Sequence, residues 1–496
     1  MKVKNGFKYN MNGWTYVSVK GNPHQRGFAH GYLLADEIKL AIKTMKFNLY
    51  DSYGIDSDFF VLCSNFFFKE PTKENFPEFY KELEGICDGA NKNKANITLD
   101  ELILWNNFAS LGYIVSTIGE YLAEMPELNN KFGYLLKGFG PGKREGEAKD
   151  KCSAFIAIGS YTHDGKICCA HNSFDDFMNG QFYNCIIDVL PDNGNRMIYQ
   201  SAPGYISSQT DFFVTSAGFI GTETTIGGFH MYERHDPITV RIRNCMQYAK
   251  TLDHYVEMLT KNNSGDYANS WLIGDTKNNE IMRIELGLKF VNVERKKEGY
   301  FIGYNAPEDP RIRNLECSNT GYDDVRRHQG ARKVRLEELM EEHKGKINVQ
   351  IAQEIIADHY DVYLHKINPC SRTTCSHYEL DDRAFMSQAD RPLPYQPRGA
   401  VDGTVCDSTL AKNMSFSARW GSSCGTAFDK NIFFDRHIQW KRFRPFVLDR
   451  PSQPWTLFKS SNKLLDSMKN KSIKLNHKKN KKRLKILKTI KNIKND

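Results

Sequence analysis

The chain has 496 residues, of which 40% are hydrophobic and 26% charged, with a formal net charge of +9. That composition fits a globular protein with a sizeable core, arranged as one large domain or two to three ordinary ones. The charge is concentrated: residues 459–496 hold thirteen Lys and one Arg against two Asp, a balance of +12. The preceding 458 residues therefore carry −3, which excludes a body built to bind polyanions.

The twelve Cys are scattered without a CxxC pair, so the chain does not read as a disulfide scaffold. Its first residues, Met1 to Phe7, form no apolar signal region, and no run of eighteen apolar residues occurs. The expectation is a reduced, intracellular and cytoplasmic chain.

In chain order, residues 14–20 read as a strand and Gly21-Asn22-Pro23 as a turn. The spacing predicts a helix over 24–45, with Phe28, Leu33, Leu34, Ile38, Leu40, Ile42 and Met45 on its apolar face. Further helices are expected at 75–90 and 99–117, giving an α-rich region over 1–137. Residues 138–151 shift to Gly, Lys, Arg and Glu, as an exposed processing linker would. Short strands follow at 152–160, 166–171, 183–190, 195–201, 211–216 and 218–225. A helix is expected over 237–261, strands at 270–275, 280–286 and 289–294, and helices near 323–342 and 348–359. Meandering strands with helices in separate blocks point to an α+β fold with antiparallel sheets, its catalytic region spanning 152–458.

The tail, 459–496, is set apart. Leu484, Ile486, Leu487, Ile490 and Ile493 recur among Lys residues, so 481–494 fits a basic amphipathic helix that would meet an anionic membrane surface. The alternative is a solvated Lys-rich tail. Nothing in it resembles a base-reading surface, so nucleic acid is not the expected partner.

Cys152 heads the apolar strand Cys152-Ser153-Ala154-Phe155-Ile156-Ala157-Ile158, directly after the charged linker. Thr162-His163-Asp164-Gly165 turns the chain back, and a four-residue loop there would set position 152 opposite 175. His171, Asn172, Asp175 and Asp176 then lie near the sulfur. Cleavage of the Lys151–Cys152 bond would free an α-amine on the same residue as the thiol, able to act as its base. Downstream, Ser264 to Ile273 delivers Asn269 to the start of a core strand, where its amide could donate to an oxyanion. Each residue also has a plainer reading. Cys152 would be a buried core thiol, His171 a hydrogen-bonded strand histidine and Asn269 a helix C-cap. Cys370, Cys375 and His377 are metal-ligand types lying close together, but a fourth ligand is not evident and no metal is assigned.

The motifs taken in order resemble the phospholipase B-like family of N-terminal nucleophile hydrolases. They are Cys152-Ser153-Ala154, Ala170-His171-Asn172, Ser207-Ser208 with Asp211-Phe212, Thr222 to Thr225, Ser264 to Trp271, Tyr304-Asn305-Ala306-Pro307 and Arg326 to Gly330. The outer parts are similar to the penicillin acyltransferase family, at Gly21 to Gly27, Thr374-Cys375-Ser376-His377, Thr409-Leu410-Ala411 and Arg419 to Cys424. The resemblance implies a four-layer αββα sandwich and autocatalytic cleavage between Lys151 and Cys152. It implies Cys152 as nucleophile, His171 in the pocket and Asn269 in the oxyanion hole. Thr224 or Thr225 falls at a pocket threonine, and Arg326 or its neighbour at an arginine that would orient Asp175 or bind a substrate anion; a surface feature at a helix start is the alternative. Phe174 stands where the family usually has Trp, keeping an apolar wall without the indole donor. The implied activity is hydrolysis of an acyl amide or ester, in a lipid or small N-acyl substrate, without a cofactor. Acyl transfer, an uncleaved thiol enzyme and a catalytically silent binding homologue are the alternatives, and the sequence leaves a homo-oligomer open.

Overall fold

Three strands open the chain: β1 (Lys2–Val3), β2 (Gly6–Met11) and β3 (Trp14–Gly21). After a helical stretch come β4 (Cys152–Gly159), β5 (Gly165–Asp176), β6 (Cys185–Pro191), β7 (Met197–Ser201), β8 (Phe213–Thr215) and β9 (Phe219–Thr225). Two short helices separate these from β10 (Asn269–Asp275), β11 (Glu280–Leu286), β12 (Val291–Lys296) and β13 (Gly299–Gly303). A small ribbon follows, β14 (Tyr360–Asp361) with β15 (Lys366–Ile367). The last strands are β16 (Arg398–Ala400), β17 (Asp402–Asp407), β18 (Ser415–Trp420) and β19 (Thr456–Lys459). The computed structural model describes residues 1–115, 117–136, 151–208, 210–318, 321–383 and 393–461.

Ten strands form one sheet in the order β1-β2-β3-β6-β7-β8-β9-β10-β11-β12, and the second sheet runs β13-β4-β5-β17-β18-β19 with β16 also on β5. Pairing is antiparallel, as expected, except that β3 and β6 run parallel. That exception follows from the long helical connection between them, which a hairpin cannot supply.

The unbroken apolar run of β4 is explained by burial on both faces. Phe155 and Ala157 pack with Leu336, Leu339, Met340 and Ile355 of the helices His328–Glu342 and Val349–Ile356. Ile156 points the other way: a Cβ at Gly274 of the facing sheet would lie 3.1 Å from its Cδ1. The helices Pro23–Leu33 and Ile238–Tyr248 cover the outer face of the larger sheet. The result is a four-layer αββα arrangement. The helix Pro23–Leu33 lies almost backbone-to-backbone on Pro77–Lys92, since a Cβ at Gly31 would sit 1.9 Å from the Ile86 carbonyl oxygen. Arg26, within the expected turn-and-helix motif, is buried there and bonded to Glu82 at 2.6 Å, so that motif serves the scaffold.

Three expected helices are each divided, the 99–117 one into Leu99–Asn106 and Leu111–Val115. The 24–45 helix closes on His30 through the Leu34 N–H and restarts as Ala35–Tyr53. The 237–261 helix breaks at Ala249, whose backbone is extended, giving Ile238–Tyr248 and Leu252–Thr260. Met1–Lys459 form one unit and Ser460–Asp496 a second. Residues 138–150 of the linker, and the amphipathic pattern over 481–494, lie outside the described residues. No helix among the described residues is long and apolar enough to cross a membrane.

Candidate active site

Cys152 pairs with Ser173 across the β4–β5 hairpin, and Ala154 pairs with His171. Residues two apart on a strand share a face, so the thiol and the imidazole project to the same side. The expected partner of position 152 was 175. Gly159, at φ 68°, begins the turn early, and a bulge between Ala157 and Gly159 adjusts the ladder. The resulting slip is two residues, which preserves the face.

Both side chains line a narrow cleft with Lys151, Phe174, Asp175, Glu223 and Tyr267. Its cavity volume is about 10 Å³, room for roughly one water. The Lys151 ammonium, belonging to the residue before Cys152, lies 3.8 Å from Asp175 Oδ2. Burial raises the Asp175 carboxyl, but Lys151, Arg398 and the Tyr183 hydroxyl outweigh it and hold the group below the usual range. A second cavity of about 20 Å³ shares Tyr267 and is lined by Ser207, Ser208 and Asp211.

The Cys152 thiol is 2% exposed and lies 3.9 Å from Glu223 Oε1, to which it donates. Burial, and then the Glu223 carboxyl, push this thiol up. Glu223 is itself raised well above the usual carboxylate range, first by burial and then by Asp211, whose own carboxyl burial lifts to about 7. Two buried carboxyls that hydrogen-bond cannot both ionise freely, so the pair retains a proton near neutrality. Of the two, Glu223 is raised further, because their hydrogen bond raises it and lowers Asp211, so the proton rests on Glu223 with Asp211 as the carboxylate behind it.

The bond before Cys152 is held from both sides. The Phe174 N–H donates to the Lys151 carbonyl oxygen. The Cys152 N–H donates to Asn305 Oδ1 at 3.4 Å, and Asn305 Nδ2 donates to the Thr225 carbonyl at 2.8 Å. The buried Arg332 guanidinium donates to the Cys152 carbonyl at 2.6 Å and to Asn305 Oδ1 at 2.8 Å.

His171 is fully buried with neither ring nitrogen hydrogen-bonded, and burial lowers it to about 3, so it is neutral at physiological pH. Asn269 is also buried, with both amide atoms unpartnered, next to Thr225 in the β9–β10 ladder. The Thr225 hydroxyl is 2.8 Å from that of Tyr267, which donates to Glu223 at 3.3 Å. Thr224 instead packs on Gly303, where a Cβ would lie 2.4 Å from its Cγ2.

Cys152, His171, Phe174, Asp175 and Lys151 are thus brought to one cleft, and Thr225 joins it through Tyr267. Arg326 is not: its side chain is 67% exposed and pairs with Asp324 at 2.8 Å, at the start of the helix His328–Glu342. The arginine that reaches Cys152 is Arg332, one turn into that helix. Sequence reasoning passed over it, and over Glu223, Asp211, Tyr267 and Asn305. The last four sit inside the quoted motifs, where the sequence reading singles out Thr224, Thr225 and Asn269 instead. Arg332 had only its place on the apolar face of a helix to mark it.

The family model described as Phospholipase B matches residues 7–450. The chain is 24% identical to putative phospholipase B-like 2 of Rattus norvegicus over 64% of its own length and 59% of that protein's. It is 28% identical to phospholipase B of Crotalus adamanteus, over 44% and 41% respectively. It therefore spans about half the length of these relatives. Among solved structures, a variant of conjugated bile acid hydrolase from Clostridium perfringens aligns with 55% of this chain and 84% of that one, at 9% identity and a TM-score of 0.26, a likeness too weak to bear on the fold.

Proposed function

The chain belongs to the phospholipase B family, and on that premise we propose that it is an acyl hydrolase whose nucleophile, Cys152, is exposed by autocatalytic cleavage of the Lys151–Cys152 bond. The observation that carries this reading is the environment of that one bond. Its carbonyl has a backbone donor in Phe174, its nitrogen is held by Asn305, and the adjacent thiol donates to Glu223.

In the continuous chain the Cys152 nitrogen is an amide and cannot serve as a base, so the carboxyl pair does: Glu223 passes its own proton to Asp211 and takes the thiol proton. Sulfur attacks the Lys151 carbonyl carbon while the Phe174 N–H steadies the developing oxyanion. The C–N bond breaks, the nitrogen leaves as an amine carrying the transferred proton, and Lys151 is held as a thioester. Water hydrolyses that thioester, releasing the Lys151 carboxylate and restoring the thiol. The freed α-amine, beside Asn305, then takes over as base for substrate. The Arg332 cation, which donates to the Cys152 carbonyl, disfavours the protonated form of that amine.

Substrate turnover repeats the chemistry. The Cys152 sulfur attacks an acyl ester or amide, the alcohol or amine leaves with the proton, and water clears the acyl-enzyme. The names of the relatives support a lipid acyl ester as the first substrate class to test. Phe174 supplies an apolar wall, and Asn269, whose amide has no other partner, is the side-chain oxyanion donor. Intact mass and N-terminal sequencing test the reading. Cleavage gives fragments of roughly 17 and 40 kDa, by proportion from 57.1 kDa, the larger beginning Cys-Ser-Ala-Phe. A Cys152→Ala chain that is still cut at this bond would refute autocatalysis.

A further inference from the structure

His359, Cys375, His377 and Cys424 come from three separate segments, yet one ligand atom from each lies within 4.8 Å of all the others. The Cys375 sulfur and the Cys424 sulfur are each 3.4 Å from His377 Nε2. Tetrahedral zinc, with bonds of about 2.3 Å to sulfur and 2.0–2.1 Å to nitrogen, sets sulfur and nitrogen ligands about 3.5 Å apart. Both sulfur–nitrogen spacings match that geometry, and all four ligand atoms lie within 4.8 Å of one another.

The supporting contacts point the same way. His377 Nδ1 lies 2.8 Å from Glu379 Oε1, which turns Nε2 toward the two sulfurs. A carboxylate behind a ligating histidine is the usual outer partner of such a site. His359 Nε2 is buried with no hydrogen-bond partner, and its ring centroid is 5.0 Å from that of His377. A buried ring nitrogen without a partner costs free energy that a metal bond would recover. The Cys424 sulfur also accepts from the Thr426 N–H at 3.3 Å.

We propose that His359, Cys375, His377 and Cys424 form a structural zinc site of the Cys₂His₂ type. Two thiolates and two neutral imidazoles balance the charge of one Zn²⁺, and binding releases the two thiol protons to solvent. Four protein ligands close the shell, so the ion is structural and has no open position for substrate. Soft sulfur with imidazole in this geometry selects zinc over magnesium or calcium. The sequence grouping of Cys370 with Cys375 and His377 is corrected: the Cys370 sulfur lies 3.5 Å from Asp361 Oδ2, and Cys424 takes the fourth place with His359.

The site has a structural task within reach. Asn172 of β5 donates to the Ile356 carbonyl at 2.9 Å, the Thr374 carbonyl at 3.1 Å and Ser423 Oγ at 3.1 Å. Thr374 and Ser423 adjoin Cys375 and Cys424 in the chain, and Ile356 precedes His359 by three residues. The Asn172 Oδ1 accepts from the Ser153 N–H at 3.1 Å, next to the nucleophile. Phe174, a wall of the cleft, packs with Cys375 and Cys424. A metal here would tie together the three segments that back the strand lining the cleft.

The test is metal analysis of the full chain purified without chelator from zinc-supplemented culture, followed by Co²⁺ exchange. The expected result is about one zinc per chain, with Co²⁺ giving tetrahedral ligand-field bands and thiolate charge transfer. Cys375→Ser and Cys424→Ser should each lower zinc content by about tenfold or more, and Cys370→Ser should leave it unchanged. If the serine variants do not fold, the wild-type chain alone decides. Wild-type protein that holds no stoichiometric zinc after exposure to excess metal overturns the proposal. So does a native Cys375–Cys424 disulfide found by mass spectrometry.

Discussion

Glu223 Oε1 lies 3.9 Å from the Cys152 sulfur and accepts a hydrogen bond from it, while Asp211 is hydrogen-bonded to the same glutamate. The pair therefore sets two carboxyls of raised proton affinity, sharing one proton, against a thiol that burial makes hard to ionise. In the proposed cleavage that match matters most, because the continuous chain has no α-amine at Cys152. General-base assistance contributes about 10²- to 10⁴-fold, so Glu223→Gln should slow the appearance of the two fragments by that order. It retains the shape and one hydrogen bond, so folding should persist. The check is the fragment ratio on denaturing gels against time after synthesis; wild-type processing kinetics in the variant would remove Glu223 from the role.

Arg332 carries a different expectation, because it serves both the fold and the base. Its guanidinium donates to the Cys152 carbonyl, Ser153 Oγ and Asn305 Oδ1 from a fully buried position. Arg332→Met strands those acceptors and should cost about 3 kcal/mol of stability, read by urea unfolding. In protein that is cut and folded, the neighbouring positive charge is gone and the α-amine pKa rises. The acidic limb of the hydrolysis rate profile should then move to higher pH. A loss of stability with an unmoved profile would make Arg332 purely a scaffold residue.

What the sequence disclosed and what it hid divide along physical lines. The apolar run of β4 and the Asp-Gly turn made the hairpin legible, because both are local signals. The exact register was not, since it depended on where Gly159 adopts φ 68°. Cys152, His171, Phe174 and Asp175 were legible as a group because one hairpin carries them. Arg332 and the Glu223–Asp211 pair were not, because tertiary packing alone brings a helix and a second sheet to the same thiol. The Cys₂His₂ cluster is the extreme case: its ligands are spread from 359 to 424 and share no short motif.

His171 predicts a pH dependence of stability whose sign is fixed by its burial. The folded ring binds a proton only near pH 3, whereas an unfolded histidine does so near 6.5. The unfolded state thus holds more protons between these values, and stability is lost as pH falls below 6.5 toward 3. Between pH 7 and pH 5 this one residue should account for about 2 kcal/mol. His171→Phe should lose that much less than wild type over the same interval, measured by urea unfolding at both pH values. Equal losses in the two proteins would mean that the ring is protonated in the fold.

Asn269 offers the sharpest separation of catalysis from stability. Its side chain is buried at the start of β10 with neither amide atom hydrogen-bonded, so removing it breaks no bond in the resting chain. A buried polar group kept in that condition is a cost to folding, of about 1–3 kcal/mol, unless something else uses it. An oxyanion would: it forms only during the reaction and would meet the waiting amide. Asn269→Ala should therefore lower turnover of an acyl ester or amide by about 10²- to 10³-fold. Its melting temperature should stay level or rise, since the loss of packing volume is offset by relief of the unpaired amide. Turnover across a panel of acyl esters and amides, set beside thermal unfolding of the same preparations, reads both quantities. Loss of stability and activity in equal measure would return Asn269 to the scaffold.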